Sequence, residues 1–276
     1  MLANLKEVLV PAEAGHYCVG HFDVLTLEMA RAVIAAAEEA DAPVILGIEE
    51  SQLSICPLDE FAAFVLPMAR KAAVPVAVHF DHGQTFARCI EALKLGFTSV
   101  NFDCSRDVLE VNAAKVSEMV RTAHAFGAAV EAELGHTPEA EELRSGAAEL
   151  TDPAQAADYV KETGIDALAI AVGTAHGQYL ETPKLDYNRI RAIAEAAKVP
   201  LVLHGGSGLS DTAIREAIAS GISKIDIFTD INLACCQGAI QAYNDGIHTI
   251  SEMIPYEEHA VRVVAAEKIR LFGNRT

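Results

Sequence analysis

Short apolar runs recur along the chain, and each is followed by a stretch in which apolar residues return every third or fourth position. Runs of this length read as buried parallel strands, and the longer spaced stretches as helices laid against them. Strand-like segments run from Tyr17 to Val24, over Pro43-Val44-Ile45-Leu46, from Val76 after Pro75, and from Ser99 to Asp103. Four more cover Ala128 to Glu133, Leu168 to Val172, Leu201 to Leu203 and Ser223 to Ile227. Helical spacing fills the gaps. It begins behind a Thr26 cap with Leu27, Ala30, Val33, Ile34 and Ala37, and returns at Leu58 to Lys71, Thr85 to Leu95 and Val108 to Phe126. It resumes after Thr151-Asp152-Pro153, at Tyr187 to Ala197 and at Asp211 to Ala219, with Gly96, Gly127 and Gly221 as stops. Ile231 to Tyr243 and Tyr256 to Leu271 add two terminal helices.

Eight strands alternating with helices, with no linker-like shift in composition, predict a (β/α)8 TIM barrel occupying residues 1–276 as a single domain, with a C-terminal helical extension. A doubly wound open sheet competes, but no Gly-x-Gly-x-x-Gly follows the first strand. One segment breaks the rhythm. Residues His136 to Leu150 are polar, glutamate-rich and too long for an ordinary connection, which makes them a lid candidate.

The formal charge of −18 excludes the broad basic surface that nucleic acid or an anionic membrane requires. No apolar run approaches the roughly 20 residues of a membrane span, and the first residues lack a signal-peptide pattern. Six scattered cysteines, with no Cys-x-x-Cys pair, read as buried free thiols in a reducing cytoplasm. The expected partners are a small-molecule substrate and further copies of the chain, as a dimer or tetramer.

Polar residues crowd the C-terminal ends of the strands, where barrels place their chemistry. The third strand runs into His79-Phe80-Asp81-His82-Gly83; the sixth and seventh lead to His176 and His204. Three imidazoles at three strand ends suit a catalytic zinc site with one open position. Asp81, beside His82, reads either as a carboxylate orienting a histidine or as a general acid/base. Asp103 and Glu133 end strands four and five, as solvated carboxylates or as a second cation site. Gly205-Gly206-Ser207-Gly208 before a helix offers N–H groups to an anion, in the usual phosphate-binding position of these barrels.

His79-Phe80-Asp81-His82-Gly83, Glu131-Ala132-Glu133-Leu134-Gly135, Gly173-Thr174-Ala175-His176-Gly177 and Leu201-Val202-Leu203-His204-Gly205-Gly206-Ser207-Gly208 together resemble the class II, zinc-dependent ketose-bisphosphate aldolases, the fructose- and tagatose-bisphosphate type. The resemblance covers nearly the whole chain in the family's order. It implies Zn2+ on His82, His176 and His204, and Asp81 as the catalytic acid/base. It further implies a second divalent or monovalent cation near Asp103 and Glu133, and a lid glutamate, Glu141 or Glu142, as proton carrier. Gly177, Gly205, Gly206, Ser207 and the Asp226 to Thr229 stretch, Thr229 included, would hold dihydroxyacetone phosphate.

The departures from the family cluster around the substrate. Phe22-Asp23 replaces the usual Phe-Asn, Asp226 replaces the Asn of Asn-x-x-Thr, and Leu180-Glu181 stands where a lysine is common. The lid reads Thr137-Pro138-Glu139-Ala140-Glu141-Glu142 in place of Gly-Gly-Glu-Glu. Two amides become carboxylates, Asp23 and Asp226, where a phosphate is expected. The expected activity is therefore metal-dependent cleavage of a ketose into dihydroxyacetone, or its phosphate, and an aldehyde, with an unphosphorylated C1 end favoured. A standard fructose- or tagatose-bisphosphate aldolase and a metal-dependent sugar isomerase or epimerase are the alternatives.

Overall fold

Each short apolar run becomes a strand buried on both faces, and the strands close into a ring. In the computed structural model, which describes residues 1–143, 149–179 and 181–273 apart from the side chains of Glu142 and Leu143, the barrel strands are numbered on their own. They are β1 (Val19–Asp23), β2 (Val44–Glu49), β3 (Val76–Gly83) and β4 (Ser99–Phe102). The other four are β5 (Ala129–Leu134), β6 (Ala167–Ile170), β7 (Leu201–Leu203) and β8 (Ile222–Ile227). Every neighbouring pair is parallel, and β8 returns to pair with β1 through Val19 to Phe22. This is the closed eight-stranded (β/α)8 barrel that the alternation predicts.

The N-terminus holds something the sequence reading did not include. Leu2–Ala3 pairs with Val76 and Ala77, below the level at which β4 joins β3 at His79 and Ser99. Helix α1 (Leu5–Gly15) then starts at Asn4, whose side chain and Glu7 form a reciprocal capping box. Its Leu5, Val8, Leu9 and Ala12 sit at one helical face and are buried against Val19, Ile45, Ala77, Ala129, Ala167, Ala169 and Val202, which point into the barrel. The helix plugs the bottom of the ring. Small alanines on β3, β5 and β6 leave the space it fills.

Around the ring lie α2 (Leu27–Glu39), α3 (Leu58–Lys71), α4 (Phe86–Leu95) and α5 (Leu109–Ala125). The four-residue α6 (Ala140–Leu143) is followed by α7 (Pro153–Thr163), α8 (Tyr187–Ala197) and α9 (Asp211–Ser220). The predicted C-terminal extension is α10 (Thr229–Asn244) and a longer α11 (Ile250–Gly273), which packs along α10 and α2. All six cysteines are free. Cys18, Cys56, Cys89 and Cys104 are buried as expected, but on α10 Cys235 is only partly covered where it packs against the core, and Cys236 is exposed. No helix among the described residues is long and apolar enough to cross a membrane.

Alternation along the strands sorts the interior into levels. Above the apolar floor come His21, His79, Ser99, Glu131 and Lys224, and above those Asp23, Asp81, Asn101, Glu133, His204 and Asp226, all buried. One irregularity alters the count. The β3–β4 register shifts between Phe80 and Gly83, and His82 takes a left-handed φ of 43°. A regular strand would send His82 outward, beside Phe80. The bulge turns Asp81 and His82 toward the same mouth, at a cost of about 1–3 kcal/mol for a non-glycine residue in that region.

Candidate active site and metal centre

His82, His176 and His204 come together at the C-terminal mouth, each offering one ring nitrogen, all within 4.8 Å of one another. His82 is held by its Nδ1, 2.9 Å from Asp103 Oδ2, which leaves Nε2 facing His204 Nδ1 at 2.8 Å. His204 uses its other nitrogen, Nε2, on Glu131 Oε1 at 3.1 Å. The third ring, His176, has a buried Nε2 with no hydrogen-bond partner. In each of the first two rings one nitrogen is fixed by a carboxylate and the other turned inward, the arrangement that orients histidine ligands. Ligands at about 2.0–2.1 Å in a tetrahedron lie roughly 3.3 Å apart. The three inward nitrogens fit a zinc-sized cation.

The charges agree. Burial, with the neighbouring His82 and His204, holds His176 down to about 3, so it is neutral and ligand-ready. Burial opposes charge on His82, yet Asp81 and Asp103 together raise it well above the usual range. Asp226 and Glu131 raise His204 against the same burial. An acidic surround therefore attracts positive charge to this point, as protons or as a metal. Asp81 remains ionised: burial works against it, but His82, His79 and His21 hold its carboxyl well below the normal range. His79 Nε2 stands 3.6 Å from Asp81 Oδ1 and is fixed from behind by Ser99 through Nδ1 at 2.9 Å.

Asp103 and Glu133 meet His82 in a second group of potential ligands within 4.8 Å. Burial and Asp103 raise the Glu133 carboxyl, while the His82 hydrogen bond keeps Asp103 low despite burial.

Asp23 and Asp226 do not stand as isolated charges. His21, at the centre of β1 and missed in the sequence, lies between them: Nε2 is 3.3 Å from Asp23 and Nδ1 is 3.1 Å from Asp226. Burial disfavours its charge, but Asp23 and Asp226 push His21 up to about 10. Lys224, fully buried, lies 3.0 Å from Asp226 and 2.8 Å from Glu131. Burial opposes ionisation of both acids, and Lys224 draws Glu131 down to about 2 and Asp226 lower still. His21 and Lys224 sit at inward positions of their strands, but only the closure of β8 onto β1 brings them to these acids. Gly47 is a further signal: a Cβ there would stand 2.1 Å from His21 Nε2, so β2 makes room for the ring.

The glycine loops close the other side. Gly205 has φ 69° and a Cβ on it would meet the Ala175 carbonyl at 2.2 Å; Gly206 has no more room against Ile225. Tyr179, also missed, ties two loops by accepting from Ala175 N at 2.9 Å and donating to Gly205 O at 2.8 Å. Asp230 accepts from Gly208 N at 3.1 Å and is paired with Lys268 at 2.7 Å, while its own N–H donates to Ser207 Oγ at 3.2 Å. Among the described residues, the Gly177 and Ser207 N–H groups donate to no protein acceptor. Thr229 is the first residue of α10, directly after its cap residue Phe228.

The lid is partly described. Pro138 and Ala140 pair with His176 through backbone hydrogen bonds of 2.9 Å each. They bring the Glu139 carboxylate, rather than an expected one, to 3.9 Å from His176 Nδ1. Glu141 is exposed on α6. The Glu142 side chain and Leu180 lie outside the described residues, and Glu181 is exposed.

Known proteins match this arrangement along its whole length. The class-II fructose-bisphosphate aldolase family matches residues 3–276. The fructose-bisphosphate aldolase of Geobacillus stearothermophilus is 37% identical, over 99% of this chain and 97% of that protein. The 6-phospho-5-dehydro-2-deoxy-D-gluconate aldolase of Halalkalibacterium halodurans is 38% identical, over 97% and 92%. The crystal structure of the YdjI aldolase from Escherichia coli K12 superposes with a TM-score of 0.90 at 37% identity, covering 99% of this chain and 98% of that one.

Proposed function

Because the chain belongs to the class-II fructose-bisphosphate aldolase family, we propose that it is a zinc-dependent lyase that reversibly cleaves a ketose 1-phosphate between C3 and C4, giving dihydroxyacetone phosphate and an aldehyde. The observation that carries this reading is the convergence of His82, His176 and His204 beside the ionised Asp81. A divalent cation on the three imidazoles would supply Lewis-acid polarisation of the ketose carbonyl.

The protein's own residues do the rest. Asp103 and Glu131 fix the two metal-facing histidines in orientation. Asp81, braced by His79, accepts the C4 hydroxyl proton as the C3–C4 bond breaks; an acid/base so placed contributes on the order of 10²–10⁴ in rate. A lid glutamate, Glu139 or Glu141, returns a proton to C3 of the three-carbon fragment. The Ser207 and Gly177 N–H groups and the first turn of α10 hold the phosphate.

This reading replaces the expectation of an unphosphorylated C1 end. That expectation assumed Asp23 and Asp226 to be unneutralised. Lys224 and His21 stand against them at 3.0–3.3 Å, so their repulsion of a phosphate is largely offset. The products of incubating the zinc-loaded protein with ketoses, with and without a 1-phosphate, test the proposal. Two carbonyl fragments, lost on chelation and formed faster from the 1-phosphate, are expected. A single isomerised sugar would overturn it in favour of an isomerase, and faster cleavage of the unphosphorylated ketose would restore the neutral C1 end.

A further inference from the structure

The mouth of the barrel is polarised. On the β6–β8 arc the loops present backbone N–H donors. On the β1–β3 arc the strand ends carry Asp23, Glu49 and Asp81, with Glu50 next to Glu49. The one-letter pattern hides this, because the three acids are far apart in sequence. In space one ligand atom each from His21, Asp23 and Asp81 lies within 4.8 Å of the others, and Glu49 is within electrostatic range of Asp81 and Asp23.

Two features separate this arc from a chance acidic cluster. Asp23 Oδ1 and Asp81 Oδ1 are buried and lack a well-formed hydrogen bond, their nearest protein donors being His21 Nε2 at 3.3 Å and His79 Nε2 at 3.6 Å. Buried acceptors without donors are costly unless a ligand supplies them. Gly47, inward on β2, lets the His21 ring and Asp23 sit together at this arc, for a Cβ there would lie 2.1 Å from His21 Nε2 and 2.7 Å from Asp23 Oδ1. In addition, no lysine or arginine among the described residues is ion-paired with Asp23, Glu49, Glu50 or Asp81. The exposed Arg106 is carried by the loop after β4.

Asp81 faces the C4 hydroxyl, so the carbons beyond C4 lie along this arc. A hydroxyl there donates to a waiting carboxylate oxygen. A phosphate or carboxylate has no proton to give at neutral pH and meets the carboxylates of Asp81 and Glu49 instead, beside an Asp23 whose charge His21 offsets. From this geometry we infer that the fragment released as aldehyde is a neutral polyhydroxylated chain, bound through its hydroxyls by Asp23 and Glu49, and that the enzyme discriminates against a second phosphate at that end. The inference rests on the aldolase reading and narrows its substrate class to ketose monophosphates.

Aldol addition separates the two claims. The zinc-loaded enzyme is supplied with dihydroxyacetone phosphate and, in parallel, with glyceraldehyde, erythrose, threose or glyceraldehyde 3-phosphate. The neutral aldehydes should react with a kcat/KM at least about 10-fold above that of the phosphorylated one, as expected where hydrogen-bonding groups select the substrate. Glu49→Gln and Asp23→Asn should each shift that ratio toward glyceraldehyde 3-phosphate. Glu49 is partly exposed, so the near-isosteric Gln variant tests the idea outside the buried core. A preference of the unmodified enzyme for glyceraldehyde 3-phosphate, or a ratio unmoved in both variants, overturns this inference and leaves the aldolase reading intact. Failure to form a carbon–carbon bond with any aldehyde overturns the aldolase reading and this inference with it.

Discussion

Single residues here act through their partners more than through their own chemistry. His82 reaches the mouth only because the backbone adopts φ 43° at that position, and Asp103 then decides which nitrogen is offered. His21 does comparable work for Asp23 and Asp226, holding two acids together at the junction of β8 and β1. It is raised to about 10 from 6.5 by those carboxylates, against burial. A group whose folded pKa is raised contributes stability that is complete below its unfolded pKa and is lost as pH rises through the folded one. The protein should therefore lose stability progressively between about pH 6.5 and 10, and His21→Asn should remove that part of the slope. Guanidinium midpoints at pH 6, 8 and 10 measure it. Parallel profiles for the two proteins would mean that the imidazole is neutral between the acids.

At the scale of elements, the barrel is a ring of short strands that needs a floor. Helix α1 provides it with Leu5, Val8 and Leu9, each 2% exposed or less. Burying such side chains contributes about 1.5–3 kcal/mol apiece. Leu9→Ala should cost about 2–5 kcal/mol, since it opens a cavity under a closed ring that cannot collapse onto it. Chemical denaturation checks this, and a loss below about 1 kcal/mol would show the plug to be loosely seated. The spacing of Leu5, Val8, Leu9 and Ala12 was legible as a helix, and Asn4 with Glu7 as its cap; Pro11 within the run obscured it. The eight strands and the helices between them were legible because both faces of a parallel strand are apolar. The three histidines and Asp81 were legible because they follow strands directly. Lys224, His21 and Glu131 were harder to read, since only the closure of β8 onto β1 and the register across the ring bring them into contact. Glu139 was not singled out beside Glu141 and Glu142, because the backbone pairing of the lid that brings its carboxylate to 3.9 Å from His176 is not visible in the sequence.

For the whole molecule the decisive quantity is where a charge of −18 is allowed to gather. Much of it is spread over surface helices, but Asp23, Asp81, Glu131, Glu133 and Asp226 are buried at one end of the barrel. Lys224 and His21 offset two of these five, and the His82–His204 pair attracts further positive charge. Without a metal that charge must come from protons on rings whose nitrogens are 2.8 Å apart. A divalent cation relieves the remaining imbalance and separates the rings, so metal binding and folding should be linked. A ligand at about 1,000 times its Kd stabilises a fold by roughly 4 kcal/mol. In a chain of 276 residues this corresponds to a rise in Tm of roughly 7–10 °C. Thermal unfolding with zinc and with a chelator should differ by about that amount, and His176→Ala, which leaves the His82–His204 pair in place, should abolish most of the difference. The same shift in the His176→Ala protein would mean that the stabilising metal sits elsewhere, the Asp103 and Glu133 group being the next site to test.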